Sequence, residues 1–137
     1  MNKEDKVLLI DCLEILNNAI SGTIGHYDIN NVALSRFMQT NEIYVNRYGT
    51  RNLKDGKKKQ NYFVYTYDSI NRNTRDEAHD LLRHIRNSIA HSLVTKPRGK
   101  NTFQLQDKNK CGNESMVARI RVDLLKPFIE TIKQTYH

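Results

Sequence analysis

Residues 83–91 read RHIRNSIAH and bring two arginines, two histidines and an asparagine into nine positions. Those are the groups that cleavage of RNA uses. RNA carries its own nucleophile, the 2′-hydroxyl, so an enzyme must take that proton, hold the charge that develops on the phosphorane oxygens and orient the ribose or phosphate. Histidine exchanges protons near neutral pH. Arginine stays charged, and its planar fork matches phosphate oxygens. Asparagine both donates and accepts. The chemistry needs no metal, and no cofactor is expected. His84 and His91 are seven residues apart, about two helical turns and too far for both to reach one ion. There is no His-Glu-x-x-His element. A Ser-His-Asp or Cys-His arrangement has no local support. The plainer alternative is a solvated helix face that binds nothing, but such a face in this composition would be mostly Lys, Glu and Gln.

A helix must position these groups. Ala78, Leu81, Leu82, Ile85, Ile89 and Leu93 recur at helical spacing, and Pro97 forbids continuation. Thr74 to Glu77, TRDE, has the form of a capping box with Thr74 at the N-cap. The expected helix therefore runs from about residue 75 to about 93. At about 100° per residue, Asp80, His84, Asn87 and His91 fall in one line opposite the apolar stripe, with Arg83 beside it and Arg86 nearer the core edge.

The string Arg86-Asn87-Ser88-Ile89-Ala90-His91 resembles the R-x4-H motif of the HEPN superfamily, in the form with Asn after the Arg. The likeness extends over roughly residues 1 to 135, but only 86–91 are specific. It implies a small helical domain, and many members are metal-independent endoribonucleases of toxin–antitoxin, abortive-infection and CRISPR systems. By that resemblance Arg86 and His91 are the catalytic pair, with Asn87 the polar residue that often follows the Arg and joins them in the catalytic set. Arg83 and His84 have no fixed place in the motif and are expected as RNA-contacting neighbours. Ser92-Leu93 follow His91, so the HxY extension of toxins paired with a nucleotidyltransferase antitoxin is absent. Arg86 and His91 point roughly 140° apart on a straight helix. The family's answer is a two-fold homodimer with a shared cleft, the commonest oligomer symmetry. Two other readings stay open: a non-catalytic HEPN-fold module that binds RNA or a nucleotide, and an antitoxin-like interaction protein.

Composition agrees with a polyanionic partner. The formal net charge is +7 and the pI about 9.5, which directs attention to RNA, whether tRNA or mRNA. A basic protein with no nucleic-acid role is the alternative. Lys57, Lys58 and Lys59 stand in a loop-like stretch (residues 52–61) with a glycine and no apolar residue after Leu53. They are candidate phosphate contacts, or a solvated run. At 137 residues a single HEPN-like domain is expected. Cys12 reads as a buried thiol, Cys111 lies in a turn, and no disulfide scaffold is expected. The N-terminus has no leader-like pattern and no stretch reaches membrane-spanning length, so a cytoplasmic protein without membrane contact is expected. A cognate antitoxin or regulator would fit the resemblance.

The remaining elements read as follows. Residues 4–20 form a helix with Val7, Leu8, Leu13, Ile15, Leu16, Ala19 and Ile20 as its apolar set. Residues 29–39 form a second, capped by Asp28. NEIYVNRYGT is ambiguous between helix and strand, and YFVYTY (62–67) is a short strand or the lead-in to the next helix. NTFQLQD and MVARIRVD make a β-hairpin about the turn KNKCGNES. Asp123 caps a final helix with the stripe Leu124, Leu125, Phe128, Ile129 and Ile132, and Pro127 is placed in its first turn. The expected fold is mainly α, a HEPN-like helical bundle with a small β-hairpin before the C-terminal helix.

Overall fold

The computed structural model describes residues 1–21, 25–47, 49, 53–67 and 76–137. In chain order the elements are α1 (Lys3–Ile20), α2 (Val32–Thr40), β1 (Ile43–Asn46), α3 (Leu53–Gly56), β2 (Asn61–Tyr65), α4 (Glu77–Ala90), β3 (Val94–Thr95), β4 (Thr102–Lys108), β5 (Glu114–Arg121) and α5 (Val122–Lys133). The five strands form one mixed sheet in the order β1-β2-β5-β4-β3. β1 and β2 are parallel and the other pairs antiparallel. The fold is therefore α/β, and the expected mainly helical bundle with a small hairpin is incorrect. The hairpin is present as β4–β5, but it forms the middle of a larger sheet.

The reason lies in how the strands are covered. Every residue of β2 is buried, so Asn61–Tyr65 lacks the polar–apolar alternation of a half-exposed strand. Phe63 and Tyr65 pair across to Ala118 and Met116 on one face. On the other face α3 lies so close that a Cβ on Gly56 would come within 2.9 Å of Val64. β1 and β3 are only four and two residues long, too short to establish a period.

Register sets the inward face of the sheet. Phe103, Leu105 and Asp107 alternate along β4, opposite Ile120, Ala118 and Met116 of β5. All six are buried. Helix α4 packs on β4 and on α1, while α5 packs on α1, α2 and β5. Leu124, Leu125, Phe128, Ile129 and Ile132 are all buried, as their spacing predicts. On α1 the buried line is Asp5, Leu9, Cys12, Leu16 and Ala19, whereas Val7 from the expected set is 48% exposed.

Several helix boundaries differ from expectation. Asn31, not Asp28, caps α2. Arg121 is the N-cap of α5 without a side-chain cap, and Asp123 pairs with it instead at 2.6 Å. Pro127 lies inside α5 rather than in its first turn. Thr74 lies outside the described residues, and α4 is capped by Asp76. The Asp76 carboxylate accepts from the His79 N–H at 2.6 Å and from the Tyr27 N–H at 2.7 Å. One side chain therefore terminates α4 and ties it to the segment after α1. Loss of a carboxylate N-cap costs about 1–2 kcal/mol. Asp76→Ala is expected to lower unfolding free energy by that amount in urea denaturation, with Asp76→Asn retaining most of it.

Candidate functional site

Helix α4 stops earlier than its apolar stripe suggests. Its last residue is Ala90, and His91 is the C-cap. The Ser92 N–H donates to the Ile89 carbonyl at 3.2 Å and the Leu93 N–H to the Ser88 carbonyl at 2.8 Å. Ser92 has φ +57°. This is a Schellman closure with serine in the left-handed position that glycine favours. It leaves His91 exposed at the end of the helix, its N–H still bonded to the Asn87 carbonyl.

The first half of the polar line of α4, Asp80 and His84, does not face solvent. Asp80 is fully buried and His84 is 2% exposed, because the line faces the end of β4. There Asp107 continues the inward row of Phe103 and Leu105, and the His84 imidazole meets it. Nδ1 of His84 lies 2.8 Å from Asp107 Oδ2, and Nε2 lies 3.1 Å from the Thr66 carbonyl oxygen and 3.4 Å from Asp80 Oδ2. Nδ1 faces a carboxylate, and Nε2 faces two acceptors as well as the Arg83 Nη2 donor at 3.5 Å, so the surroundings hold more acceptors than donors and favour the doubly protonated imidazolium. Burial alone would depress its pKa and the Arg83 guanidinium works in the same direction, but hydrogen bonds to Asp107 and Asp80 outweigh them and raise it. Burial would likewise raise the two carboxylates. The His84 hydrogen bond instead holds Asp107 below its ordinary range, and His84 with Arg83 holds Asp80 at about 2.

Asn87 extends this network outward. Its Nδ2 donates to Asp107 Oδ2 at 3.3 Å, and its Oδ1 accepts from Arg86 Nε at 2.8 Å. An acceptor on one side and a donor on the other fix the orientation of the amide. Arg83 Nε donates to Asp80 Oδ1 at 2.9 Å. Above these groups opens a cleft of about 740 Å³, lined in part by Thr66, Asn87, His91, Asp107, Lys108 and Lys110. Arg83 and His84 also line it, His84 at the buried floor; Arg86 does not. Thus the structure brings Arg83, His84, Asn87 and His91 to one cleft, with Arg86 beside it on Asn87.

Lys57, Lys58 and Lys59 are elsewhere. They precede β2, whereas Thr66 follows it, so about 16 Å of strand separates them from the cleft. Arg119 anchors their turn by donating to the Lys57, Lys59 and Gln60 carbonyls. Asp107 was not among the residues singled out from the sequence. A carboxylate on the apolar phase of Phe103-x-Leu105-x-Asp107 is the signal that could have found it. Among the described residues no group of three or more His, Cys, Asp or Glu is placed to hold a metal, and no helix is long and apolar enough to cross a membrane.

The R-x4-H string agrees with the comparison of the whole chain with known families. The chain belongs to the family HEPN pEK499 p136, whose model matches residues 5–137. Membership supports a nuclease or RNA-binding role. No curated protein and no solved structure matches the chain.

The buried network fixes a pH dependence. A raised His84 pKa contributes stability that is complete below its ordinary value near 6.5 and is lost as pH rises through the raised value. The lowered Asp80 and Asp107 contribute above about 3.8, and Asp80's share is lost as pH falls toward about 2. Denaturation followed from pH 5 to pH 9 should show a loss on the alkaline side that His84→Gln abolishes. At pH 6 the same change should cost about 3 kcal/mol, because two buried carboxylates lose their shared cation.

Proposed function

We propose that this protein is a metal-independent endoribonuclease of the toxin or phage-defence kind. It acts as a single domain whose cleft is shared between two copies of the chain. The observation that carries the reading is Asn87, which holds Arg86 on one side and opens with His91 into one cleft on the other. Arg86, Asn87 and His91 then have distinct tasks. His91, exposed at the helix end, takes the 2′-hydroxyl proton. Arg86 stabilises the charge of the phosphorane, and Asn87 orients Arg86 and the ribose or phosphate. The 2′-oxygen bonds to phosphorus, the bond to the 5′-oxygen breaks, and the leaving oxygen takes a proton from water. Arg86 is not part of the cleft wall in one chain, which supports a dimer in which the second copy completes it. His84 and Arg83 sit behind these groups and act on position and charge, since His84 is 2% exposed and Arg83 is paired with Asp80.

The test is incubation of purified protein with tRNA and with total RNA in excess EDTA, followed by analysis of the new ends. Expected products carry 2′,3′-cyclic phosphate and 5′-hydroxyl, and a 2′-deoxyribose at the cleavage position stays intact. Full inhibition by EDTA, or 5′-phosphate ends, would sink the mechanism, and RNA bound but uncut would leave a binding module. Arg86→Ala and His91→Ala should each lower cleavage by about 100-fold or more. Surface His91→Ala should change stability by no more than about 0.5 kcal/mol. Mixed dimers of the two single variants should regain part of the activity, whereas either mixed with the double variant should not.

A further inference from the structure

We propose that the turn of the β4–β5 hairpin is the RNA-strand binding site, with Lys108 and Lys110 holding the phosphates that flank the one cleaved. This rests on the nuclease reading for its substrate, but it concerns different residues. By strict alternation Lys108 would point away from Asp107, to the outer face of the sheet. Yet both line the same cleft as Asn87 and His91. The pairing is irregular beside it: Asp107 is opposite Met116 and Lys108 opposite Glu114, so Ser115 is an extra residue on β5 and the hairpin bends there. Such a bulge re-aims side chains beside functional sites. Its geometry is locked on the far side, where the Ser115 carbonyl accepts from the Thr66 N–H at 2.9 Å.

The turn itself is tightly built. Asn109 Oδ1 accepts from the Cys111 and Asn113 N–H groups at 2.9 and 3.0 Å. The Asn109 N–H donates to the Asn113 carbonyl, and Gly112 closes the turn with φ +82°. The two lysines are therefore presented from a fixed backbone, which reduces the ordering cost of binding. Both are exposed, and among the described residues neither side chain is in an ion pair with a carboxylate. The carboxylates beneath them are already matched, Asp107 by His84 and Asp80 by Arg83 and His84. Among the described residues Glu114 is the remaining carboxylate of the lining, against the cations Lys108 and Lys110, so the field these residues present to an incoming strand is positive. The Lys57–Lys59 run faces another hollow, with Lys58 and Lys59 beside Glu42 and Tyr44.

The test uses the His91→Ala protein, so that bound RNA is not cut, and a fluorescein-labelled single-stranded RNA of mixed sequence. Affinity is read by anisotropy across a potassium chloride series. In that background Lys108→Ala with Lys110→Ala should weaken binding about tenfold and flatten the salt dependence by about 1.4 log units per log unit, about 0.7 for each single-strand phosphate contact. Lys108→Arg with Lys110→Arg should restore both. The triple change Lys57→Ala, Lys58→Ala, Lys59→Ala should alter neither. Unchanged affinity and slope in the hairpin pair, or a loss that follows the triple change instead, would overturn the assignment. RNA held through the hairpin lysines but left uncut by the unaltered protein would sustain this site and sink the nuclease reading. Cleavage with binding indifferent to the lysines would do the reverse, and absence of any RNA binding would overturn both.

Discussion

Asp107 occupies a place where the alternation of β4 calls for an apolar side chain. It follows Phe103 and Leu105 on the face of the sheet that the helices cover, and it is 2% exposed. A carboxylate there must be neutralised, because an isolated buried charge costs several kcal/mol. His84, from the helix packed on that strand, supplies the counter-charge and is itself held from below by Asp80. The three groups fix how α4 sits on the sheet. Sliding α4 by one residue would part His84 from Asp107 and leave both uncompensated. The net gain in stability from such an arrangement is small, since desolvation of the ions offsets much of their attraction. Its main consequence is register.

From that register the exposed groups follow. Asn87 is one turn further along α4 than His84, close enough to reach the same Asp107 oxygen. Arg86 is held by the other end of the Asn87 amide, and His91 is delivered by the Schellman closure one turn beyond. The hairpin that carries Asp107 inward carries Lys108 and Lys110 to the wall of the same cleft. Asp76 at the opposite end of α4 fixes where the helix begins. A single helix, pinned at its start by a cap and at its middle by a buried ion network, thus organises a surface shared by α4, the segment after β2, and the β4–β5 hairpin with its turn.

How much of this the sequence discloses depends on the range of the interactions. The stripe Leu124, Leu125, Phe128, Ile129, Ile132 and the β4–β5 hairpin are legible because periodicity and turn composition are local. The R-x4-H string is legible for the same reason, and it leads to the family. The five-stranded sheet is not, because Asn61–Tyr65 is covered on both faces and β1 and β3 are too short to carry a period. The polar line of α4 reads correctly as a line, but a helical wheel does not say what lies opposite. His84 and Asp107 are 23 residues apart, and only the packing of α4 on β4 turns an expected surface histidine into a buried one. The cap moved from Thr74 to Asp76 because the latter's carboxylate also satisfies the Tyr27 N–H, a tertiary contact that no capping motif contains.

The charge state of His84 is the most direct test of this arrangement. Nitrogen-15 NMR of the histidine side chains, with His84 assigned by comparison with His84→Gln, reports whether each ring nitrogen carries a proton. The ring should titrate above the ordinary histidine value, with both nitrogens protonated on the acid side of that titration. Asp107→Asn should bring that titration down. A titration at or below the ordinary histidine value, or one unmoved by Asp107→Asn, would contradict the view that a shared buried charge sets α4 against β4 and so builds the cleft.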